Sequence, residues 1–327
     1  MIVSGQRPEV EPLHVAGPQA RRRVAEVAGL IGGYVRRTPV VTVDRTDFGL
    51  APGPLTLKLE QLQHSGSFKA RGAFTNLLRR EIPAAGVAAA SGGNHGAAVA
   101  YAAGVLGVPA RIFVPEVSSP AKISRIRSYG ADLVVEGATY SDSFAICERW
   151  IAENGALAVH AYDHTQTIHG AGTTGLELLE QAPQVTTVLA AIGGGGLLSG
   201  ICLACAGAAW VVGAEPEGAP TMTRALAAGH PVDAPTGSVA VDSLAPRQVG
   251  QLPFGIISEA AHAVVLVSDE AILDAQRALW ERLRIVAEPG GVAALAAVLS
   301  GRYQPEPDEH LGVVVSGANT TAVDFSR

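Results

Sequence analysis

The stretch Val185-Thr186-Thr187-Val188-Leu189-Ala190-Ala191-Ile192-Gly193-Gly194-Gly195-Gly196-Leu197 decides the fold. An apolar, β-rich run passes without a linker into four glycines and then into an apolar segment that reads as a helix starting near Leu197. Four residues without Cβ let consecutive N–H groups converge, and the positive end of the following helix adds to their pull on an anion. The junction reads as a cradle for a phosphomonoester, since a flexible turn between two buried elements has no need of four glycines.

The same alternation runs through the chain. Residues 55–59, 86–90, 110–114, 133–135, 157–160, 185–192, 210–214, 263–267 and 312–315 read as strands, with segments of helical length such as 97–106 and 269–283 between them. Strands alternating with helices predict an α/β fold of the doubly wound class, with parallel sheets wrapped by helices. Ligands in that class sit beyond the carboxyl ends of strands, so the glycine clusters become the places to search.

Composition sets the outer limits. A chain of 327 residues buries roughly three quarters of its unfolded surface and has room for two domains. Its 48% hydrophobic content and its 38 largely clustered glycines fit a packed α/β protein rather than a disordered one. No run of about 18 apolar residues lacks a charge or a turn signal, which excludes a membrane span. A net charge of -6 and a pI near 5.9 argue against nucleic acid as a partner. Arg21-Arg22-Arg23 followed by residues 24–35 resembles an export signal only superficially, because Glu26 interrupts the apolar run; an amphipathic surface helix is expected instead. Three cysteines make no disulfide framework, and a reducing cytoplasm is the expected setting. Cys202 and Cys205 form one C-x-x-C in an apolar helical stretch with no second ligand pair, so they are expected to be ordinary buried thiols.

Three further clusters carry chemistry. Gly170-Ala171-Gly172-Thr173-Thr174-Gly175 has dinucleotide spacing, but the nearest strand ends about ten residues earlier and no acidic residue follows where a ribose would need one, so that reading is rejected. Ser91-Gly92-Gly93-Asn94-His95-Gly96 lies between a strand and a helix start and offers amides suited to a carboxylate; His95 reads as structural rather than as a base. Lysine is rare, present only as Lys58, Lys69 and Lys122. Lys69 falls at an expected helix start close to Arg71, a setting that would depress its pKa as a Schiff-base amine requires, although a helix-start lysine is also commonly just solvated.

Together, Gly66-Ser67-Phe68-Lys69-Ala70-Arg71-Gly72-Ala73, the 91–96 loop, Gly193 to Gly196, Glu288-Pro289-Gly290-Gly291 and Ser316-Gly317-Ala318-Asn319 resemble the serine/threonine dehydratases and serine racemases, which are fold type II pyridoxal-phosphate enzymes. The resemblance extends from about Tyr34 to about Asn319, in family order and spacing. It implies two doubly wound domains, a large cofactor-binding one made of 1–81 with 165–327 and a small mobile one of 82–164, and a homodimer.

It also implies roles. Lys69 would hold pyridoxal 5'-phosphate as an imine, Phe68 would pack beside the ring and Asn94 would bond its 3'-oxygen. Gly193, Gly194, Gly195, Gly196 and Leu197 would take the phosphate, and Glu288 and Ser316 would complete the cofactor site, with Ser316 at the ring nitrogen. Amides of Ser91, Gly92, Gly93, Asn94 and His95 would take the carboxylate of an amino-acid substrate. A hydroxyl at the ring nitrogen leaves a carbanion less delocalised and favours prompt loss of a β-leaving group. The implied activity is dehydration of L-threonine or L-serine to a 2-keto acid and ammonia, with serine racemase, 3-hydroxyaspartate dehydratase and, further off, a β-replacement synthase as alternatives.

Four departures bear on the choice. Gly92 stands where the racemases carry an acid/base serine, so little racemisation is expected. Val241-Asp242-Ser243 replaces the commoner Ala-Asp-Gly, and Ala171 replaces a glutamine, which leaves the side-chain pocket open. A Mg2+ or other cation site of part of the family would use Glu215 and the Ala219 carbonyl, but Thr221 replaces its second carboxylate, and magnesium prefers such charge.

Overall fold

The computed structural model describes residues 18–320, so the outermost parts of the expected 1–81 and 165–327 segments fall outside it. Its strands are β1 (Val40–Asp44), β2 (Pro54–Leu59), β3 (Val87–Ala90), β4 (Ala110–Val114), β5 (Asp132–Val135), β6 (Leu157–Ala158), β7 (Thr187–Ala191), β8 (Trp210–Pro216), β9 (Ala263–Val267) and β10 (Leu311–Val315). They form a six-stranded sheet in the order β1-β2-β10-β7-β8-β9 and a four-stranded sheet in the order β5-β4-β3-β6. All pairings are parallel except β1 with β2.

Side chains alternate across a strand, so each fully apolar strand feeds two cores. On β7, Val188 and Ala190 pack with Ile201 and Leu203 of the helix Gly196–Cys205, whereas Leu189 and Ala191 pack with the helices Asp269–Leu283 and Ala293–Leu299. The smaller sheet repeats the arrangement. Val87, Ala89 and Ile112 face the helix Asn94–Leu106, while Ala88, Ala90 and Phe113 face the helix Tyr140–Asn154. This is the expected doubly wound class, twice over.

The sequence reading needs four corrections here. The antiparallel strand β1 was not anticipated; it is a short edge strand, and edges tolerate partial exposure that blurs an apolar signal. The expected strand 157–160 stops at Ala158 because the chain turns at His160, whose Nδ1 accepts the amides of Tyr162 and Asp163 at 3.3 and 2.8 Å. The expected helix over 24–35 is Pro18–Ile31, burying Ala20, Val24, Val27 and Ile31. Ala171, expected near the substrate's side chain, is 1% exposed inside the helix Thr165–Gln181 and belongs to the core.

That helix explains the dinucleotide-like spacing. A Cβ on Gly172 would lie 2.6 Å from the Gly200 carbonyl, and one on Gly170 would lie 2.7 Å from the Arg71 carbonyl. The glycines allow close helix crossings, so no phosphate loop exists there. Cys202 and Cys205 are buried and free, and burial pushes both thiols up, so they are inert core residues. No helix among the described residues is long and apolar enough to cross a membrane.

Candidate active site

The adjacent strands β2, β10 and β7 point their carboxyl ends the same way, and the loops they deliver meet the loop after β3. The Phe68 amide donates to the Ser316 carbonyl at 3.1 Å, the Ala318 amide donates to the Gly66 carbonyl at 3.0 Å, and Ser67 bridges Gly317. These ties fix the first residue of the helix Lys69–Arg79 against the end of β10. Lys69 Nζ turns inward, donating to the Ala161 carbonyl at 2.7 Å and standing 5.2 Å from the centre of the Phe68 ring. Burial brings its pKa down to about 8, with the Glu288 carboxylate opposing the shift.

Arg71 is not the cause, contrary to the sequence expectation. Its guanidinium is wholly buried on the far side of the helix, binding both oxygens of Glu60 and both of Glu177 at 2.8 Å. Lys58 joins from β2 at 2.8 Å from Glu177, so two cations and two carboxylates neutralise one another beneath the helix start.

The tetraglycine lies beside the lysine. Tyr162, which follows the carbonyl holding Lys69, covers Gly194 and Gly196 so closely that a Cβ on Gly194 would come within 2.2 Å of its ring. Gly195 has a φ of 89°, a left-handed conformation that a side chain would strain. The carbonyls of Gly193, Gly194 and Gly195 accept from Thr221 Oγ1, the Gly250 amide and the Ser199 amide, leaving the amide side for a ligand. Leu197 is buried in the core beneath this turn. Two buried hydroxyls, Ser65 Oγ and Ser67 Oγ, lack any partner next to Lys69, as fits a site that receives a polar molecule.

On the other wall, Asn94 Nδ2 donates to Glu288 Oε1 at 2.5 Å, and Asn319 Nδ2 donates to Asn94 Oδ1 at 2.6 Å. Burial raises the Glu288 carboxyl to about 7, partly offset by the Asn94 bond. Ser91 Oγ accepts the Gly93 amide at 3.2 Å, which tightens the loop. His95 Nε2 donates to the Val159 carbonyl at 2.8 Å; burial, helped by the Lys69 charge, lowers the ring to about 3, so it stays neutral and structural. Ser316 is 6% exposed, and its hydroxyl reaches the Gly290 carbonyl only at 3.5 Å. Gly93, Asn94, Lys122, Arg125, Asp242 and Glu288 line the cleft, with Lys122 paired to Asp242 at 2.6 Å.

At Glu215 and Ala219, the positions of the possible cation site, the oxygens already accept hydrogen bonds from the protein. Glu215 is fully buried with one oxygen taken by the Thr223 amide at 2.7 Å and the other by the Met222 amide at 2.9 Å and Thr221 Oγ1 at 3.3 Å. It caps the helix Thr221–Ala228, and the Ala219 carbonyl accepts the Thr221 amide at 3.0 Å. Among the described residues no group of three His, Cys, Asp or Glu side chains is placed to hold a metal ion.

Sequence reasoning did not single out Ala161, Tyr162, Asn319 or Arg125 as site residues. The first two follow a strand's carboxyl end, which is the signal that could have found them.

Two α/β lobes whose loops bury a lysine amine held on the Ala161 carbonyl define an enzyme suited to holding an aldehyde. The chain belongs to the family of pyridoxal-phosphate dependent enzymes, whose profile matches residues 31–317. It is 38% identical over 315 residues to a phenylserine dehydratase of Ralstonia pickettii, covering 93% of this chain and 95% of that one. Among solved structures it is similar to maize serine racemase, with a TM-score of 0.86 at 32% identity over 94% of this chain and 95% of that one. It is likewise similar to a threonine deaminase of T.th., with a TM-score of 0.85 at 39% identity over 94% of this chain and 99% of that one.

Proposed function

We propose that the chain is a dehydratase, an ammonia-lyase of hydroxy-amino acids, that converts L-threonine or L-serine to a 2-keto acid and ammonia. The observation that carries this reading is the Lys69 amine, buried at the junction of the tetraglycine turn and the Asn94 loop. Pyridoxal phosphate, when bound, supplies an electron sink that makes the substrate's α-hydrogen acidic. Lys69 would hold the aldehyde, and its amine, when free, would take the α-proton at Nζ. Gly193 to Gly196 and Leu197 would take the phosphate, Phe68 would pack on the ring, and Asn94, held by Glu288 and Asn319, would orient the ring oxygen. Ser316 would offer the ring nitrogen a neutral hydroxyl, which would favour loss of the β-hydroxyl over transamination. Amides from Ser91 to His95 hold the substrate carboxylate, and residues 82–164, which carry the smaller sheet, close over it as a mobile lobe. Three buried free cysteines suit a cytoplasmic setting.

A second reading, racemisation, is favoured by one contact: Ser118 Oγ lies 2.7 Å from where a Cβ on Gly92 would stand, so a hydroxyl remains near that loop. A product assay with L-threonine, L-serine and L-phenylserine separates the two. Keto acid and ammonia should exceed D-serine by about 100-fold, the scale of a missing general acid. Comparable rates would transfer the assignment to a racemase, and absence of keto acid would end the dehydratase reading.

The lysine's environment gives a pH signature. Only the neutral amine attacks an aldehyde, and a folded-state pKa near 8 makes about half of Lys69 neutral at that pH, against under ~1% for an ordinary lysine. Reconstitution of the apoenzyme with pyridoxal phosphate, followed by absorbance, should accelerate with rising pH and level off above about 8. A rate still climbing towards 10.5, the ordinary lysine value, would contradict the buried setting.

A further inference from the structure

The loop 91–96 is met from both lobes. A Cβ on Gly92 would lie 2.7 Å from Ser118 Oγ, just ahead of the helix Pro120–Ser128 of the smaller lobe. A Cβ on Gly93 would lie 3.1 Å from the Asp242 carbonyl, which belongs to the larger lobe. One ion pair joins these two walls: Lys122 Nζ, from that helix, stands 2.6 Å from Asp242 Oδ1. Among the described residues it is the only ion pair between the lobes.

Both ends of the pair are fixed. Asp242 sits in the short helix Val241–Leu244, whose Ser243 and Leu244 amides donate to the Ala240 carbonyl at 3.0 and 2.9 Å. Ala240 and Leu244 are buried in the larger lobe's core, and just before the turn Asp269 accepts from Ser238 Oγ and the Val239 amide at 2.6 and 3.1 Å. On the other side Ile126, one turn beyond Lys122, is buried in the core beneath the smaller sheet. An ion pair between two anchored elements sets their separation, and the loop lies in that gap. We infer that Lys122 and Asp242 are positioning residues: their pair clamps the loop 91–96 between the lobes and holds its amides in the array that receives the substrate's carboxylate. This inference rests on the role given to that loop under the proposed function. Neither residue touches the reacting atoms in this role, so the pair acts on substrate binding rather than on proton transfer at Lys69.

The test uses the holoenzyme, its variants Asp242→Asn and Lys122→Met, the two combined, and the exchanged pair Lys122→Asp with Asp242→Lys. Hydrogen exchange of the 91–96 amides, followed by mass spectrometry, reads the loop without turnover, while kcat and KM are taken on the hydroxy-amino acid that the product assay favours. Each single variant should speed exchange in the loop and raise KM, both by about three- to fivefold, the scale of a partly exposed pair, with kcat and pyridoxal-phosphate affinity within about twofold of wild type. The combined variant should lose no more than either single one, and the exchanged pair should recover most of the loss. Added salt should raise KM in the wild type more than in Asp242→Asn, because only the former has a pair to screen. Additive losses, unchanged exchange at 91–96, or a fall in kcat at constant KM would overturn the clamp and leave the dehydratase reading standing. Faster loop exchange in the variants of a protein that turns over no hydroxy-amino acid would keep the clamp and overturn the dehydratase reading instead.

Discussion

Lys69→Ala should lower keto-acid formation by at least about 10⁴-fold, the upper range for removing a positioned base, and should remove the visible absorption of lysine-bound pyridoxal phosphate. The reason is that one atom does two jobs. Under the proposed function Lys69 Nζ would carry the aldehyde and then move the proton, and neither other lysine is placed to substitute. Lys58 is locked to Glu177 in the buried network, and Lys122 is paired with Asp242 at the cleft's other wall. The effect should be chemical rather than structural, because among the described residues the Lys69 side chain makes a single hydrogen bond, to the Ala161 carbonyl. Partial recovery of turnover by added methylamine, with an unchanged circular dichroism spectrum, would separate the two causes. Retained turnover together with retained colour would remove the assignment.

Arg71→Ala should cost about 3–5 kcal/mol of stability, the scale for leaving buried carboxylates without their partner. The guanidinium makes four bonds at 2.8 Å to Glu60 and Glu177 and one at 3.0 Å to Thr173 Oγ1. Removing it leaves two buried carboxylates sharing the single charge of Lys58. Arg71→Lys should recover only part, since an ammonium cannot grip two carboxylates in a planar fork. The urea midpoint of each variant measures this, with the slope of the transition checked against wild type. A loss below about 1 kcal/mol for the alanine variant would show that the network is not what anchors the helix under Lys69.

The contrast between these residues shows what was legible in the sequence. The tetraglycine and the 91–96 loop could be read because each is a local pattern, a glycine run or a polar loop placed between a strand and a helix; Lys69 stood out only through the rarity of lysine and the family resemblance of its segment. The apolar strands were readable for the same reason, and β4 and β9 fall where expected. The network around Arg71 was not readable. Its members come from β2, the turn after it, and the helices Lys69–Arg79 and Thr165–Gln181, separated in sequence by up to 119 positions, and no local pattern pairs them. Arg71 was instead credited with depressing its neighbour's pKa, because proximity along a chain says nothing about the face a helical side chain takes. Gly170, Gly172 and Gly175 are the opposite case, a pattern rightly set aside. Their spacing imitates a phosphate loop, but glycine serves close helix packing equally well, and only the surrounding elements distinguish the two uses.

The central claim is that a single lysine carries the cofactor, and the scarcity of lysine makes it simple to check. Borohydride reduction of the coloured holoenzyme, followed by proteolysis and mass spectrometry of the peptides, should find the phosphopyridoxyl mass on Lys69 alone. Label on Lys58 or Lys122, or on no lysine at all, would contradict the account.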